Sequence, residues 1–230
     1  MMVIGHGFLA KRFESYQNND RFIIFASGVS NSKNTQDSDY DRERELLSST
    51  IKNNKTKILV YFSTCSIYDP DEKRSKYVLH KLKMEKLIQK EISQFNIFRV
   101  SNLAGKSDNP NTVLNFFNFH ISNKINFDLW SNAERNLLDI DDMYKIIDYI
   151  LQGRLFLNEV TNIANPVSYK AKEIIHCIEK FRGIKSNHIP IGKGSSFKID
   201  ISTIRPIIQE LDIHFGGDYL INLLKKYYHP

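Results

Sequence analysis

Cysteine is scarce: Cys65 and Cys177 are the only two in the chain. That excludes a disulfide framework, and reduced thiols in a cytoplasmic protein are the simplest reading. No apolar run approaches the ~20 residues of a membrane-spanning helix, so no membrane partner is expected. The opening MMVIGHGFLA lacks a basic leader and a small-residue cleavage site, and is read as a buried strand beginning at the second residue rather than a signal peptide. Internal repeats, low-complexity linkers and metal-ligand spacings are missing too. The net charge of +6 is scattered, with no Arg/Lys tract interleaved with aromatics, so nucleic acid is not an expected partner.

What is present describes a globular protein. Of 230 residues, 41% are hydrophobic and 25% charged, which argues against a disordered tail or a fibre. Continuous apolar runs at Met2–Ile4, Phe22–Phe25, Ile58–Phe62 and Phe95–Val100 alternate with helical stretches. Those stretches run from the Gly5–Ala10 turn to about Gln17, from Arg42 to Lys52 and from Ser75 to Ile92. Runs without polar alternation belong to strands covered on both faces, so the expected fold is α/β, a doubly wound parallel sheet. After Gly105 the texture changes: Asn and Phe dominate 109–126, and Asp141 is read as capping a helix over 142–151. A strand over 158–164 and helices over 171–181, 203–211 and 218–228 complete the chain. The domains expected are a shortened Rossmann-like one (1–105 plus about 136–165) and a smaller substrate lobe (about 106–135 plus 166–230).

Gly5-x-Gly7-x-x-Ala10 lies between the first strand and its helix. The first Gly permits a tight turn, the second admits a pyrophosphate to the backbone, and a small third residue lets helix and strand pack closely. An acidic residue at the end of the next strand, which would hold an adenosine ribose, has no counterpart, because that strand ends Phe-Ala-Ser-Gly. Tyr77-Val-Leu-His-Lys81 puts a phenol and an ammonium on one helical face. Thr64 ends the third strand at the carboxyl edge of the sheet, where such folds bind ligands. A neighbouring ammonium favours phenolate, which makes a phenol a usable acid/base.

The order Gly-His-Gly-Phe-Leu-Ala, Phe-Ala-Ser-Gly-Val-Ser, Ser-Thr-Cys-Ser-Ile-Tyr-Asp and Tyr77-x-x-x-Lys81 resembles the extended short-chain dehydrogenase/reductases, the NAD-dependent epimerase/dehydratase family of nucleotide-sugar enzymes. Arg99-Val-Ser-Asn102-Leu-Ala-Gly105, Arg135-Asn-Leu-Leu-Asp-Ile-Asp141, Asn162-Ile-Ala-Asn165 and Asp200-Ile-Ser202 continue the likeness. The resemblance implies Thr64, Tyr77 and Lys81 as the catalytic set. It implies Gly5, Gly7, Phe8, Leu9, Ala26, Ser27, Ser63 and Lys81 along an NAD or NADP cofactor. Asn102 and Arg135 would hold the phosphates of a nucleotide-sugar substrate. The implied activity is reduction of a keto-sugar nucleotide. A 4-epimerase and a non-catalytic sugar-nucleotide-binding protein are the alternatives. Homodimers in the family pair through the helices that correspond to 42–52 and 75–92.

Two departures stand out. The sugar dehydratases of the family follow the catalytic Thr with an Asp-Glu pair, whereas Cys65-Ser66 follows here, which argues against dehydration. The family also places two further strands after its first helix, and Tyr16 to Arg21 leaves room for neither. Those strands read adenine and its ribose, so the sequence leaves NAD and NADP undistinguished.

Overall fold

Apolar runs without polar alternation form one central layer, as burial on both faces requires. The computed structural model describes residues 2–229; Met1 and Pro230, the outermost residues of the two expected lobes, lie outside the described residues. The first half comprises β1 (Val3–Ile4), α1 (Phe8–Arg12), β2 (Phe22–Phe25), α2 (Asp37–Asn53), β3 (Ile58–Thr64), α3 (Lys76–Glu91) and β4 (Phe95–Val100). Then come β5 (Asn102–Ala104), α4 (Val113–Ser122), β6 (Phe127–Trp130), β7 (Glu134–Arg135), β8 (Leu137–Asp139), α5 (Ile140–Gln152) and β9 (Glu159–Ile163). The remainder holds β10 (Tyr169–Lys170), α6 (Ala171–Arg182), β11 (His188–Ile191), α7 (Arg205–Glu210) and α8 (Tyr219–Tyr227).

The main sheet is parallel, in the order β1-β2-β3-β4-β9. Ile58, Val60 and Phe62 of β3 face a core built with Phe13, Ile146, Ile150 and Ile207, which brings α1, α5 and α7 onto one side. Leu59 and Tyr61 face Leu47, Ile51, Met84 and Ile88, so α2 and α3 cover the other. A third cluster packs α4, α6 and α8 together through Leu114, Ile121, Ile174, Ile178, Leu220 and Leu224. Small pairings tie that layer in: β5 with β8, β6 with β11 and β7 with β10.

Helices cover both faces, as the sequence predicts, but the strand order never reverses. The crossovers β1–α1–β2 and β2–α2–β3 each advance one strand in the same direction, yet α1 and α2 lie on opposite faces. The two connections therefore have opposite hands. The β3–α3–β4 unit shares the hand of β2–α2–β3, and β1–α1–β2 shares that of the return to β9 through α5, so the sheet departs from the single hand of most such units. For β1–α1–β2 the cause lies in chain length. In a full doubly wound sheet the first helix leads to strands beyond β1, whereas residues 17–21 return this chain directly to β2.

That return shortens α1. It ends at Arg12 rather than near Gln17, because the Phe13 amide tightens onto the Leu9 and Ala10 carbonyls and a 3-10 turn, Glu14–Tyr16, follows. The outward amide of β1, on Val3, donates to Gln17 Oε1 at 3.2 Å. A border strand's free donor is thereby satisfied within the chain. Two other boundaries move for electrostatic reasons. Helix α2 begins at Asp37 instead of Arg42, since Asp37 and Asp39 suit a helix N-terminus and Lys76 Nζ holds Asp37 at 2.6 Å. The cap of α5 is Asp139, whose Oδ1 accepts from the Asp141 amide at 2.8 Å; Asp141 itself sits in the first turn, paired with Arg12 and Lys226.

Candidate active site

The glycine turn is built by close approach. Gly5 has φ +123°, and a Cβ there would lie 2.6 Å from the Ala26 carbonyl oxygen, so both backbone conformation and space demand glycine. The turn after β1 is pressed against the end of β2 as a result. Gly7, the N-cap of α1, has nothing within 4 Å of where a Cβ would project. Phe8 packs its ring on Gly105 and links α1 to the segment after β5; a Cβ on Gly105 would lie 2.4 Å from that ring.

Beyond the carboxyl ends of β1 to β4 opens a cleft of about 540 Å³. Gly7, Phe8 and Leu9 line it from one side, and Ala26, Ser63, Thr64 and Asn102 from the strand ends. Tyr77 and Lys81 enter from α3, one turn apart. Gly5, Ser27 and Arg135 are not among its lining residues. Gly5 opens the turn, pressed against the Ala26 carbonyl. Ser27 accepts from Arg42 at both Oγ and its carbonyl, 3.2 Å each. Arg135 donates to the Glu134 carbonyl at 2.8 Å and reaches Asp69 at 3.8 Å.

Within the cleft, Thr64 Oγ1 accepts the Ser66 amide at 3.0 Å, which fixes its rotamer and leaves its hydroxyl proton to donate. Tyr77 is half-buried, and its hydroxyl has no hydrogen-bond partner among the described residues. The Lys81 ammonium lies 5.8 Å from the centre of the Tyr77 ring. Asn102 Nδ2 donates to the Asn136 carbonyl at 3.1 Å.

Lys81 is held by a residue the sequence does not single out. Glu43 of α2 is fully buried, and its Oε1 accepts from Lys81 Nζ at 3.0 Å and from the Tyr61 hydroxyl at 2.6 Å. Its Oε2 accepts the Val29 amide at 2.6 Å, and His80 Nε2 lies 3.2 Å away without good alignment. Burial alone would raise the Glu43 pKa. The Lys81 charge, His80, the Tyr61 hydroxyl and the Val29 amide outweigh it and hold the carboxyl well below the usual range. Tyr61 is pushed up by burial and by the Glu43 charge. The Val29 bond fixes the loop after β2, so one carboxylate positions both the lysine and a wall of the cleft. Gly28 completes the fit, since a Cβ there would lie 2.5 Å from Lys81 Nζ. A second buried network runs below: the Ser63 hydroxyl donates to Glu85 Oε1 at 2.5 Å, and Arg99 forks onto both Glu85 oxygens at 2.9 and 2.6 Å. Residues 30–32, 106–109, 111 and 112, also passed over in the sequence, supply polar lining to the cleft, Lys106 and Asp108 among them.

A model of the NAD dependent epimerase/dehydratase family matches residues 22–164, more than half of the chain. The chain belongs to this family. The epimerase/dehydratase match takes in Thr64, Tyr77, Lys81, Asn102 and Arg135 and begins beyond the Gly5–Ala10 turn. No curated protein sequence matches the chain. Similar solved structures include RMD from Pseudomonas aeruginosa complexed with NADPH, 12% identical, with 89% of this chain and 90% of that one covered at a TM-score of 0.71. UDP-glucuronic acid 4-epimerase from Bacillus cereus in complex with NAD is 18% identical, with coverages of 94% and 76% and a TM-score of 0.70. dTDP-glucose 4,6-dehydratase from Bacillus anthracis in complex with NAD is 17% identical, with coverages of 95% and 75% and a TM-score of 0.70. At these identities the likeness is one of fold. In this epimerase/dehydratase chain the residue after Thr64, Cys65, is buried with Sγ 3.0 Å from the Arg99 carbonyl, and burial pushes the thiol's pKa up. It is a packed, inert group.

Proposed function

We propose that the chain is a nucleotide-sugar oxidoreductase that reduces a keto-sugar nucleotide through Thr64, Tyr77 and Lys81. The observation that carries this reading is that these three side chains line one cleft at the carboxyl edge of a parallel sheet. The residues fit a nicotinamide nucleotide on its reactive side: Gly5 has the turn only glycine allows, Gly7 is open to a phosphate, and Lys11 and Lys106 bring positive charge to the cleft. NAD(P)H, when bound, supplies the hydride. The Tyr77 hydroxyl donates its proton to the sugar carbonyl oxygen. Thr64 donates a second hydrogen bond to the same oxygen and orients it. Lys81, one helical turn from Tyr77, steadies the negative charge left on the phenolate. Asn102, at the cleft, and Arg135, beside Asp69, are assigned to the substrate phosphates, where a guanidinium fork suits the geometry. The sheet layer takes the cofactor, and the layer of α4, α6 and α8 the sugar nucleotide.

Cys65 and Ser66 provide no carboxylic acid beside Thr64, which supports reduction over water elimination. The test is a fluorescence titration with NADH and NADPH, followed by turnover assays on nucleoside diphosphate keto-hexoses. Tyr77→Phe is expected to lower turnover by about 10²–10⁴-fold while leaving NAD(P)H affinity unchanged. Retained turnover would refute the assigned chemistry. A cofactor that co-purifies and resists dialysis would instead favour a 4-epimerase.

A further inference from the structure

A dinucleotide bound to an open parallel sheet lies across the point where the strand order reverses, with one half on each side of the first strand. Here nothing reverses, and β1 is the border of the sheet. The cleft lies to one side of it: Ala26 and residues 28–32 follow β2, Thr64 ends β3, and Tyr77 and Lys81 stand on α3. On the other side, the Val3 amide that a further strand would engage is already bonded to Gln17 Oε1. Helix α1 returns to β2 over the face shared with α5. Among the described residues no strand end stands beyond β1 to carry a side chain toward an adenosine ribose.

We propose that the cleft recognises the nicotinamide mononucleotide half of NAD(P)H and leaves the adenosine half without protein contacts. This rests on the oxidoreductase reading above. The nicotinamide ribose has a donor waiting: the Lys81 ammonium has three N–H groups, and Glu43 and Tyr61 take two of them. The adjoining phosphate has open backbone at Gly7, with Lys11 and Lys106 on the same cleft. Among the described residues no strand end beyond β1 offers a comparable donor to the 2′-position of the adenosine, so a phosphate there changes little.

The test measures dissociation constants of the full chain for NADH, NADPH and reduced nicotinamide mononucleotide by nicotinamide fluorescence, with adenosine as competitor. The three reduced nucleotides are expected to bind within about threefold of one another, with no displacement by adenosine. A preference of about tenfold or more for NADH over the mononucleotide, or between NADH and NADPH, would overturn the proposal. Displacement by adenosine would do the same, since it reveals an adenosine subsite. These outcomes leave the oxidoreductase reading standing. Absence of binding by all three reduced nucleotides would sink that reading and this one together.

Discussion

Around Lys81 several donors converge on the buried Glu43 carboxylate, whereas at β1 one Gln17 side chain satisfies the outward Val3 amide. These are two regions of the same ligand-facing edge. On the β3–α3 side, Ser63 is tied to Glu85, Glu85 to Arg99, and Lys81 to Glu43 and Tyr61. On the β1 side the strand has two residues and the helix five. The contrast fits the chemistry proposed above. Proton delivery to a carbonyl tolerates little misplacement. A phosphate is held by open backbone and by charges that act over several ångströms of solvent.

The largest effect is expected at the densest network. Glu43→Gln leaves the Lys81 ammonium buried without its counter-charge, and breaking a buried pair in this way costs about 3–5 kcal/mol. Urea unfolding at pH 7 measures it. The pH dependence has a definite sign. The folded pKa of Glu43 is depressed, so its contribution is fully present above the unfolded value of about 4.3 and is lost as pH falls below it. The stability gap between the native chain and Glu43→Gln should therefore narrow from pH 7 to pH 3. A gap that is constant with pH would mean that the carboxylate's charge does not stabilise the cluster.

Legibility divides along the same line. The core strands could be read from composition because Phe22–Phe25 and Ile58–Phe62 are apolar at every position, and β4 falls at Phe95–Val100 as predicted. Ser75 caps α3 where the sequence places its start. That Tyr77, Lys81 and Thr64 share one edge of the sheet was legible through spacing and strand position. Glu43 was not, because it lies in Asp-Arg-Glu-Arg-Glu, which reads as a solvated helix face. Only the arrival of Lys81 from α3 and Tyr61 from β3 buries it. The paired strands β5 to β8, β10 and β11 are two to four residues long; their pairing is tertiary, and no periodicity survives in so short a run. Asp141 looked like a cap because an acidic residue precedes the helix. The choice of Asp139 depends on backbone geometry two residues earlier.

A middle effect probes how tightly the lysine is held. At Gly28 an added methyl group would meet Lys81 Nζ at 2.5 Å and Glu43 Oε1 at 2.9 Å. Both groups are buried and bonded to each other, so neither can swing into solvent freely. Gly28→Ala is expected to cost about 1–3 kcal/mol by overpacking and to weaken NADH binding through the displaced Lys81. Thermal unfolding and the NADH titration measure the two. Unchanged affinity would show that Lys81 does not contact the cofactor.

The smallest effect belongs to the border strand. Gln17→Ala removes the acceptor for the Val3 amide. That amide can then turn to water, so the loss is one ordinary hydrogen bond, about 0.5–1.5 kcal/mol. If the outer edge of β1 holds no part of the cofactor, NADH affinity should not move with it, and a titration of the variant measures this directly. A weakened NADH titration, with that for reduced nicotinamide mononucleotide unchanged, would instead mean that the adenosine half lies against β1. The free strand edge would then belong to the cofactor site, and the two regions would no longer differ in kind.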